Sequence, residues 1–210
     1  MSQKLNLILG FAIAGLLFSA NPLFATLLTD PSFEDASLFV DDGNGVGAWN
    51  PFAGGGTSEL DTTMPFTGAS AVKLNLDGAN GFAGFFQDVP VMPGDMLEWT
   101  VYTKETTGQN GAGIEMRIEW FDGMGNGLGA TPNNTPASLG STYELFGFTD
   151  TAPAGATVGR VVFAIQTFGA AAPQMVFVDD ASAQIVPVPE PSSLVLLGLG
   201  GLALIRRRKK

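Results

Sequence analysis

The chain has 210 residues, a formal net charge of −10, and neither cysteine nor histidine. The absence of these two side chains excludes disulfides, zinc sites built on thiolate or imidazole, and any catalytic arrangement that needs an imidazole base. Residues 26–186 hold only four positive side chains against nineteen carboxylates, a net charge of −15, so a nucleic-acid partner is not expected.

Residues 1–25 have the composition of a secretory signal peptide. Lys4 precedes an apolar stretch at residues 5–18, and Ala25 offers a small residue for cleavage. The two large residues before Ala25 leave an uncleaved N-terminal anchor as the alternative. Both interpretations predict an N-terminal helix that enters Sec-type export machinery, followed by one exported domain at residues 26–186.

Residues 26–186 alternate apolar and polar side chains with a period of two, which predicts β-strands with one buried face. Turn sequences rich in Gly, Pro, Asn and Asp separate these strands, and neither a βαβ rhythm nor a fixed-period repeat is present. The pattern predicts an all-β fold, an antiparallel β-sandwich of the jelly-roll type. The predicted strands are 71–76, 81–91, 97–102, 114–120, 142–148, 161–166 and 174–185.

Two glycine-rich segments, 43–56 and 123–140, are predicted to be long loops, where binding surfaces usually lie. Trp49 falls in the first of them and is either a lid on the core or a platform for a ligand. Phe82, Phe85 and Phe86 make one predicted strand apolar on both faces. Such a strand is either covered on both sides or exposes a patch used for self-association.

Residues 187–210 combine a Pro-Glu-Pro turn, an apolar run at 194–205 and a basic end. The prolines break any preceding helix, and the apolar run can form a new one. A twelve-residue helix rises about 18 Å, whereas the hydrocarbon core of a membrane is about 30 Å thick, so the segment spans a membrane poorly. It is predicted to attach the chain to the membrane only temporarily. A C-terminal membrane anchor and an apolar core helix are the alternatives. The membrane stop on the cytoplasmic side consists of Arg206, Arg207, Arg208, Lys209 and Lys210.

This ordered trio resembles the PEP-CTERM sorting signal of Gram-negative bacteria. The resemblance implies that an exosortase, a membrane protease-transpeptidase, processes an inner-membrane-tethered precursor near Pro189, Glu190 and Pro191. The product is then expected outside the cell or on its surface. Proteins with this signal commonly accompany exopolysaccharide and biofilm systems, so extracellular polysaccharide is the expected partner. The signal predicts a destination and not an activity.

Five segments in the middle of the chain carry a second resemblance. They are a Pro-Ser-Phe-Glu opening at 31–34, Trp49, a Gly-Ala-Ser-Ala-Val-Lys-Leu segment at 68–74, a Gln-x-Val-x-Val-x-Pro-Gly segment at 87–94 and an Asp-Asp-Ala-Ser ending at 179–182. Together they resemble a carbohydrate-binding module of the galactose-binding-like jelly-roll class. This implies a non-catalytic, polysaccharide-binding protein. The alternative is a structural matrix protein without a sugar ligand.

Modules of this class commonly share a structural calcium between their first and last strands. The positions implied in this chain are Glu34, Asp179 and Asp180, whose carboxylates supply the oxygen ligands that calcium prefers. Neighbours on a strand face opposite sides, so only one of the two aspartates should point toward such a site, and the sequence leaves open which. Alternatively, Glu34 caps a turn and the aspartates end a strand in water.

Sugar recognition in this class places aromatic rings against pyranose faces, with amides and carboxylates bonding the hydroxyls. Aromatic candidates outside the alternating core are Trp49, Phe52 and Tyr143. Amide candidates are Gln87, Asn75 and Gln166. A carboxylate hydrolase is the one catalytic option left, and no acid pair has a discriminating context, so no catalytic residue is predicted.

Overall fold

The computed structural model describes residues 25–77, 80–106, 112–131, 139–167 and 174–187. Within these residues, ten strands pair in antiparallel fashion into two five-stranded sheets, and one short 3-10 helix spans Ala36–Leu38. The strands are β1 (Asn50–Gly54), β2 (Gly56–Asp61), β3 (Ala71–Leu76), β4 (Phe82–Pro90), β5 (Met96–Glu105), β6 (Ala112–Phe121), β7 (Gly127–Ala130), β8 (Glu144–Thr151), β9 (Val158–Thr167) and β10 (Gln174–Val186).

The first sheet has the strand order β1-β4-β9-β6-β7, and the second has the order β2-β3-β10-β5-β8. The predicted all-β architecture of two antiparallel sheets is therefore confirmed. The predicted signal helix and the predicted C-terminal hydrophobic helix lie outside the described residues. Among the residues that are described, no helix has the length and hydrophobicity needed to cross a membrane.

All seven predicted strands coincide with observed ones, and three further strands were not predicted. β1 lies inside the expected loop 43–56, and β7 lies inside the expected loop 123–140, so the loop assignment was wrong at both places. β1, β2 and β7 are edge strands. Half of β7 is glycine, and β1 contains a proline and a glycine, so neither strand has an alternating apolar pattern of its own. Pairing to a neighbouring strand gives them their conformation.

An aromatic cluster fills the space between the two sheets. The ring centroids of Phe33 and Trp49 are 4.9 Å apart, and Phe85 meets Trp49 edge-on at 5.2 Å. Trp99 of the opposite sheet lies 6.3 Å from Trp49. All four side chains have no exposed surface. Burial of a large ring stabilises a fold by roughly 1.5–3 kcal/mol each, so this cluster is a main source of cohesion in a chain that has no cysteine.

A buried carboxyl–amide pair lies where β5 and β10 meet. Glu105 is 3% exposed, and the Nε2 of the fully buried Gln174 donates to its Oε1 at 3.3 Å. Among the residues that the structure describes, Glu105 Oε2 and Gln174 Oε1 have no hydrogen-bond partner. Burial raises the pKa of Glu105, and the hydrogen bond from Gln174 opposes that rise. A protonated Glu105 could donate to Gln174 Oε1 and satisfy both oxygens at once.

We predict that Glu105→Gln makes stability less dependent on pH. A carboxyl whose pKa is raised by folding contributes stability that is fully present below its unfolded pKa and is lost as pH rises through the folded pKa. The amide is neutral throughout, so the stability of the variant relative to the wild type should rise as the pH increases above the ordinary glutamate value of 4.5, to on the order of 1 kcal/mol. Thermal unfolding at a series of pH values from acidic to neutral tests this. The exposed Glu144→Gln is the control, and parallel pH profiles for Glu105→Gln and wild type would contradict the prediction.

Candidate functional site

The outer face of the first sheet carries a patterned set of side chains on β4, β9 and β6. Strand pairing aligns them in rows across the sheet, because directly paired residues point to the same side. Three such rows are Asp88–Arg160–Glu119, Phe86–Val162–Arg117 and Gly84–Ala164–Glu115. The rows therefore place aromatic, aliphatic and charged groups beside one another.

An open depression of about 190 Å³ lies on this face. Phe52, on the edge strand β1, forms its aromatic rim together with Phe86, 6.3 Å away between ring centroids. A Cβ placed on Gly84 would come within 2.5 Å of Phe52 Cζ, so the glycine is what lets the ring lie against the sheet. The lining residues are Phe52, Phe86, Arg117, Glu119, Arg160 and Val162.

Arg160 is held on three sides. Its Nε and Nη2 donate to the two carboxylate oxygens of Asp88 at 2.7 and 3.0 Å. The guanidinium also lies over the rings of Phe86 and Phe121, at 4.0 and 5.0 Å from their centroids. A bidentate ion pair combined with cation–π contacts fixes both the position and the plane of this group.

Arg117 lies between two glutamates of its own strand. Its Nη1 is 2.7 Å from Glu115 Oε1, and its Nε donates to Glu119 Oε1 at 2.7 Å. Gln166 Nε2 donates to the other oxygen of Glu115 at 3.2 Å. Burial alone would lower the pKa of Arg117, but the hydrogen bond to Glu119 and the two negative charges raise it above its ordinary value. Glu115, Arg117, Glu119 and Gln166 are thus joined in one network.

The three aromatic ligand candidates from the sequence lie in three separate places. Trp49 is in the core, where its Nε1 donates to the Asp30 carbonyl at 2.8 Å. Phe52 lines the depression. Tyr143 is on the outer face of the second sheet, and its hydroxyl donates to the Met64 carbonyl at 2.8 Å. The structure therefore does not bring these three side chains together.

Tyr143 belongs to an apolar cluster on the outer face of the second sheet, which we call the Phe66 cluster and define as Met64, Phe66, Tyr102, Tyr143 and Leu145. Phe66 stacks on Tyr102 at 4.2 Å and tilts against Tyr143 at 5.1 Å. Burial, together with nearby aspartates, raises the pKa of Tyr143. Met64, Phe66 and Leu145 are all exposed.

The carboxylates expected at a calcium site hold the loop at residues 66–70. Glu34 accepts from the backbone N–H of Ala69 at 2.9 Å and of Ser70 at 3.2 Å. The buried Asp179 accepts from the N–H groups of Phe66 and Thr67 at 2.8 and 3.1 Å.

Asp180 is partly exposed and accepts from the Thr67 hydroxyl at 2.9 Å. Asp179 is the buried one of the two, and its pairing with Tyr102 places it under this loop on the outer side of the sheet rather than in the core. Within the described ranges, no group of three or more Asp, Glu, His or Cys side chains is placed to hold a metal ion. Calcium binding by Glu34, Asp179 and Asp180 stays a prediction.

Most of the polar groups in the depression were not selected from the sequence. The alternation in β6 put Glu115, Arg117 and Glu119 on the side away from the core, but nothing local linked them to Asp88 and Arg160. One usable signal was present, since Arg117 and Arg160 are the only arginines between residues 26 and 186. Arginine is rare in this acidic chain, and the two arginines fall on or beside strands that are predicted to be parts of one sandwich. This is the signal that they could lie at one site.

Residues 187–209 match the model of the PEP-CTERM protein-sorting motif. The predicted sorting signal is therefore confirmed, and it indicates export through an exosortase from a membrane-anchored precursor. Pro189, Glu190, Pro191 and the basic residues 206–210 lie outside the described residues. No curated protein matches the chain significantly in sequence.

Solved structures share the sandwich at low sequence identity. A structure described as "CBM4 structure and function" has a TM-score of 0.53, with 15% identity over 76% of this chain and 99% of that one. The tandem CBM22-1–CBM22-2 domain of Paenibacillus barcinonensis Xyn10C has a TM-score of 0.55 and 15% identity, covering 80% of this chain and 47% of that one.

The enzymatically active domain of bacteriophage CBA120 tailspike protein 4 has a TM-score of 0.59 and 16% identity. The match covers 77% of this chain but only 21% of the tailspike domain. At such identities the likeness shows the fold. The chain thus carries a PEP-CTERM sorting motif after a β-sandwich whose structural neighbours include carbohydrate-binding modules.

We predict that Asp179→Asn destabilises the protein by about 1–3 kcal/mol. Oδ2 of Asp179 accepts both loop N–H groups and Oδ1 accepts the N–H of Asp180, and an amide has only one oxygen to accept with. Urea unfolding measures the change, with the more exposed Asp180→Asn as the control. Each measurement is made with calcium and with a chelator. If Asp179 binds calcium, the chelator lowers the midpoint of the wild type and leaves that of Asp179→Asn unchanged. Equal stability of Asp179→Asn and wild type would contradict the role of Asp179 in holding the loop.

Proposed function

We propose that this protein is an exported, non-catalytic polysaccharide-binding protein and that the depression on the first sheet holds the glycan. The observation that carries the proposal is the placement of Phe52 and Phe86 beside Arg117 and Glu119 on one open surface. An apolar rim next to a polar network is the combination that a sugar ring requires, because a pyranose has apolar C–H faces and hydroxyls around its edge.

The polar groups of the depression are fixed before a ligand arrives. Arg160 is held by Asp88, and Arg117 is held by Glu115 and Glu119. Side chains that are already immobilised lose little conformational entropy on binding, so more of their hydrogen-bond energy contributes to affinity. This favours binding over a purely structural role for the face, since a face used only for solubility does not need an ordered network.

The sorting motif and the fold support the same proposal. Export delivers the sandwich to the place where bacterial polysaccharide is found, and the sandwiches of similar fold include the xylan-binding CBM22-1 domain of Paenibacillus barcinonensis Xyn10C. The partners that we propose are the Sec-type export machinery, an exosortase, and an exopolysaccharide of a biofilm made by the producing Gram-negative bacterium. Binding rather than hydrolysis is the proposed activity.

A structural matrix protein without a sugar ligand is the second candidate, and the Phe66 cluster favours it. Met64, Phe66 and Leu145 expose apolar surface on the sheet opposite the depression. Such a surface can pack against another protein surface without any sugar. The two candidates differ in whether the depression has a ligand.

We predict that Phe52→Leu lowers affinity for polysaccharide about two- to tenfold, since leucine keeps the apolar contact but loses the aromatic ring, which contributes roughly 0.5–1.5 kcal/mol. Affinity electrophoresis through gels that contain soluble xylan, mixed-linkage glucan or the organism's own exopolysaccharide measures this. Phe66→Leu is the matched control, because Phe66 is an exposed ring that packs on the outer face of the opposite sheet. It should migrate as the wild type does.

Three outcomes separate the candidates. Retardation that Phe52→Leu weakens and Phe66→Leu preserves supports the proposed site. Equal loss in both variants, or loss only in Phe66→Leu, contradicts the assignment of the depression. Wild-type protein that none of the three polysaccharides retards contradicts polysaccharide binding and leaves the matrix protein.

A further inference from the structure

We infer that the exosortase contacts the end of the sandwich from which the sorting motif leaves, and that Met92 and Met124 supply exposed side chains to this contact. Such a contact lies outside glycan binding. It rests only on the exosortase processing that the matched motif implies, which is one part of the proposed function.

Three connecting segments surround the point where β10 ends. In the second sheet, the last residue of β10, Val186, pairs with Met96 at the start of β5, and β8 ends beside them. In the first sheet, β9 begins beside the ends of β4 and β6. The segments that connect these strand ends therefore close one end of the sandwich. We call it the β10 end and define it as residues 91–95, 122–126 and 152–157.

Hydrogen bonds join the three segments of the β10 end. The N–H of Gly94 donates to the Ala152 carbonyl at 2.9 Å, and the N–H of Thr157 donates to the Phe121 carbonyl at 2.9 Å. Segment 152–157 is thus bonded both to the turn before β5 and to the end of β6. The β10 end is one fixed surface rather than a set of independent loops, so a partner can bind it without first ordering it.

The exposed side chains of the β10 end are uncharged, although residues 26–186 carry a net charge of −15. Its only charged residues are Asp95 and Asp122, which are partly exposed and accept N–H groups of their own turns. Met92 is 69% exposed and Met124 is 85% exposed. Depletion of charge together with exposed methionine is typical of the centre of a protein–protein interface.

Little chain separates the β10 end from the predicted processing site. Pro189 is three residues beyond Val186, and Pro191 is five residues beyond it. Even a fully extended chain spans at most about 10 Å to the first proline and about 18 Å to the second. A folded domain of about 100 residues already has a radius of gyration near 13 Å. An enzyme that holds both sides of this bond in its active site therefore touches the β10 end of the folded sandwich.

The short connection also makes the contact effective. Once the enzyme holds the Pro-Glu-Pro segment, the β10 end meets the enzyme surface as if in the same molecule, at a high effective concentration. Burial of two exposed methionines at this surface then adds to the affinity for the precursor. The surface beside the active site that fits this end is itself apolar and free of exposed charge.

The test measures processing of the full-length precursor in the producing bacterium. Pulse–chase labelling and immunoprecipitation follow its conversion to the shortened chain. We expect Met92→Lys and Met124→Lys each to slow this conversion roughly fivefold, because a charge cannot be buried against an apolar surface. Met64→Lys is the matched control, since it places the same charge at an exposed methionine of the Phe66 cluster, and it should be processed as the wild type is. Thermal unfolding verifies that all three variants are folded.

A spacer distinguishes contact from simple obstruction. Twelve Gly and Ser residues inserted between Val186 and Pro187 move the processing site away by about 20 Å on average. If the contact promotes processing, the spacer should slow the wild type and remove the difference between the wild type and Met92→Lys. Faster processing of the wild type with the spacer overturns the inference, because the folded sandwich then only obstructs the enzyme.

The remaining outcomes also separate the alternatives. Unchanged conversion in the double variant Met92→Lys/Met124→Lys, or equal slowing by Met64→Lys, overturns the inference. Aspartate at positions 92 and 124 should slow conversion as lysine does. Slowing by aspartate alone indicates contact with anionic lipid headgroups, which attract lysine, and overturns the assignment to the enzyme.

Failure of the proposed function has a different signature. A wild-type chain that is never shortened contradicts exosortase processing, and the contact proposed for the β10 end falls with it. Retardation of the same variants in polysaccharide gels reports on glycan binding separately, and it should equal that of the wild type.

Discussion

The pairing register of β4, β9 and β6 is the constraint on which both the core and the binding face depend. In this register Phe85, Phe163 and Met116 point inward, and the rows with Phe86 and Arg160 point outward. A shift by one residue would exchange the two sets, because side chains alternate along each strand. It would bury arginines and expose the rings of the core. The energy that fixes the hydrophobic core therefore also fixes the geometry of the polar network, at no separate cost in stability.

In this protein, hydrogen bonds to carboxylates join segments that are distant in sequence, as disulfides do in many exported domains. Glu34 near the start of the sandwich and Asp179 in the last strand both accept N–H groups from the loop at residues 66–70. Segments that are distant in sequence are thereby joined through charge-assisted hydrogen bonds. The chain contains no cysteine, so these contacts are independent of the redox state outside the cell. Part of its acidity thus has a structural role beyond solubility.

Alternation of apolar and polar residues predicts a strand only where one face of that strand packs on the core. Strands without such a face carry no alternating pattern and could not be predicted. β5, β6 and β9 alternate clearly, because one side of each packs on the core, whereas β1 and β7 form through pairing alone. Phe52 was selected from the sequence as an aromatic outside the alternating core, and it does line the depression. Asp88, Arg117 and Arg160 were not selected, since their association depends on register between strands more than 25 residues apart. Trp49 was also selected as an aromatic candidate, but it is fully buried in the core although it lies in a glycine-rich segment.

The position of β10 determines how the sandwich responds when it is pulled. This strand is the middle one of the second sheet, bonded to β3 on one side and β5 on the other, and it ends at Val186, directly before the matched motif at 187–209. Tension applied through the processed tail would run lengthwise along β10. The hydrogen bonds on both sides lie across that direction, so many of them would resist together in shear rather than opening one after another. A protein attached to a surface by this end is thus joined to it through a strand that is hydrogen-bonded along both of its edges.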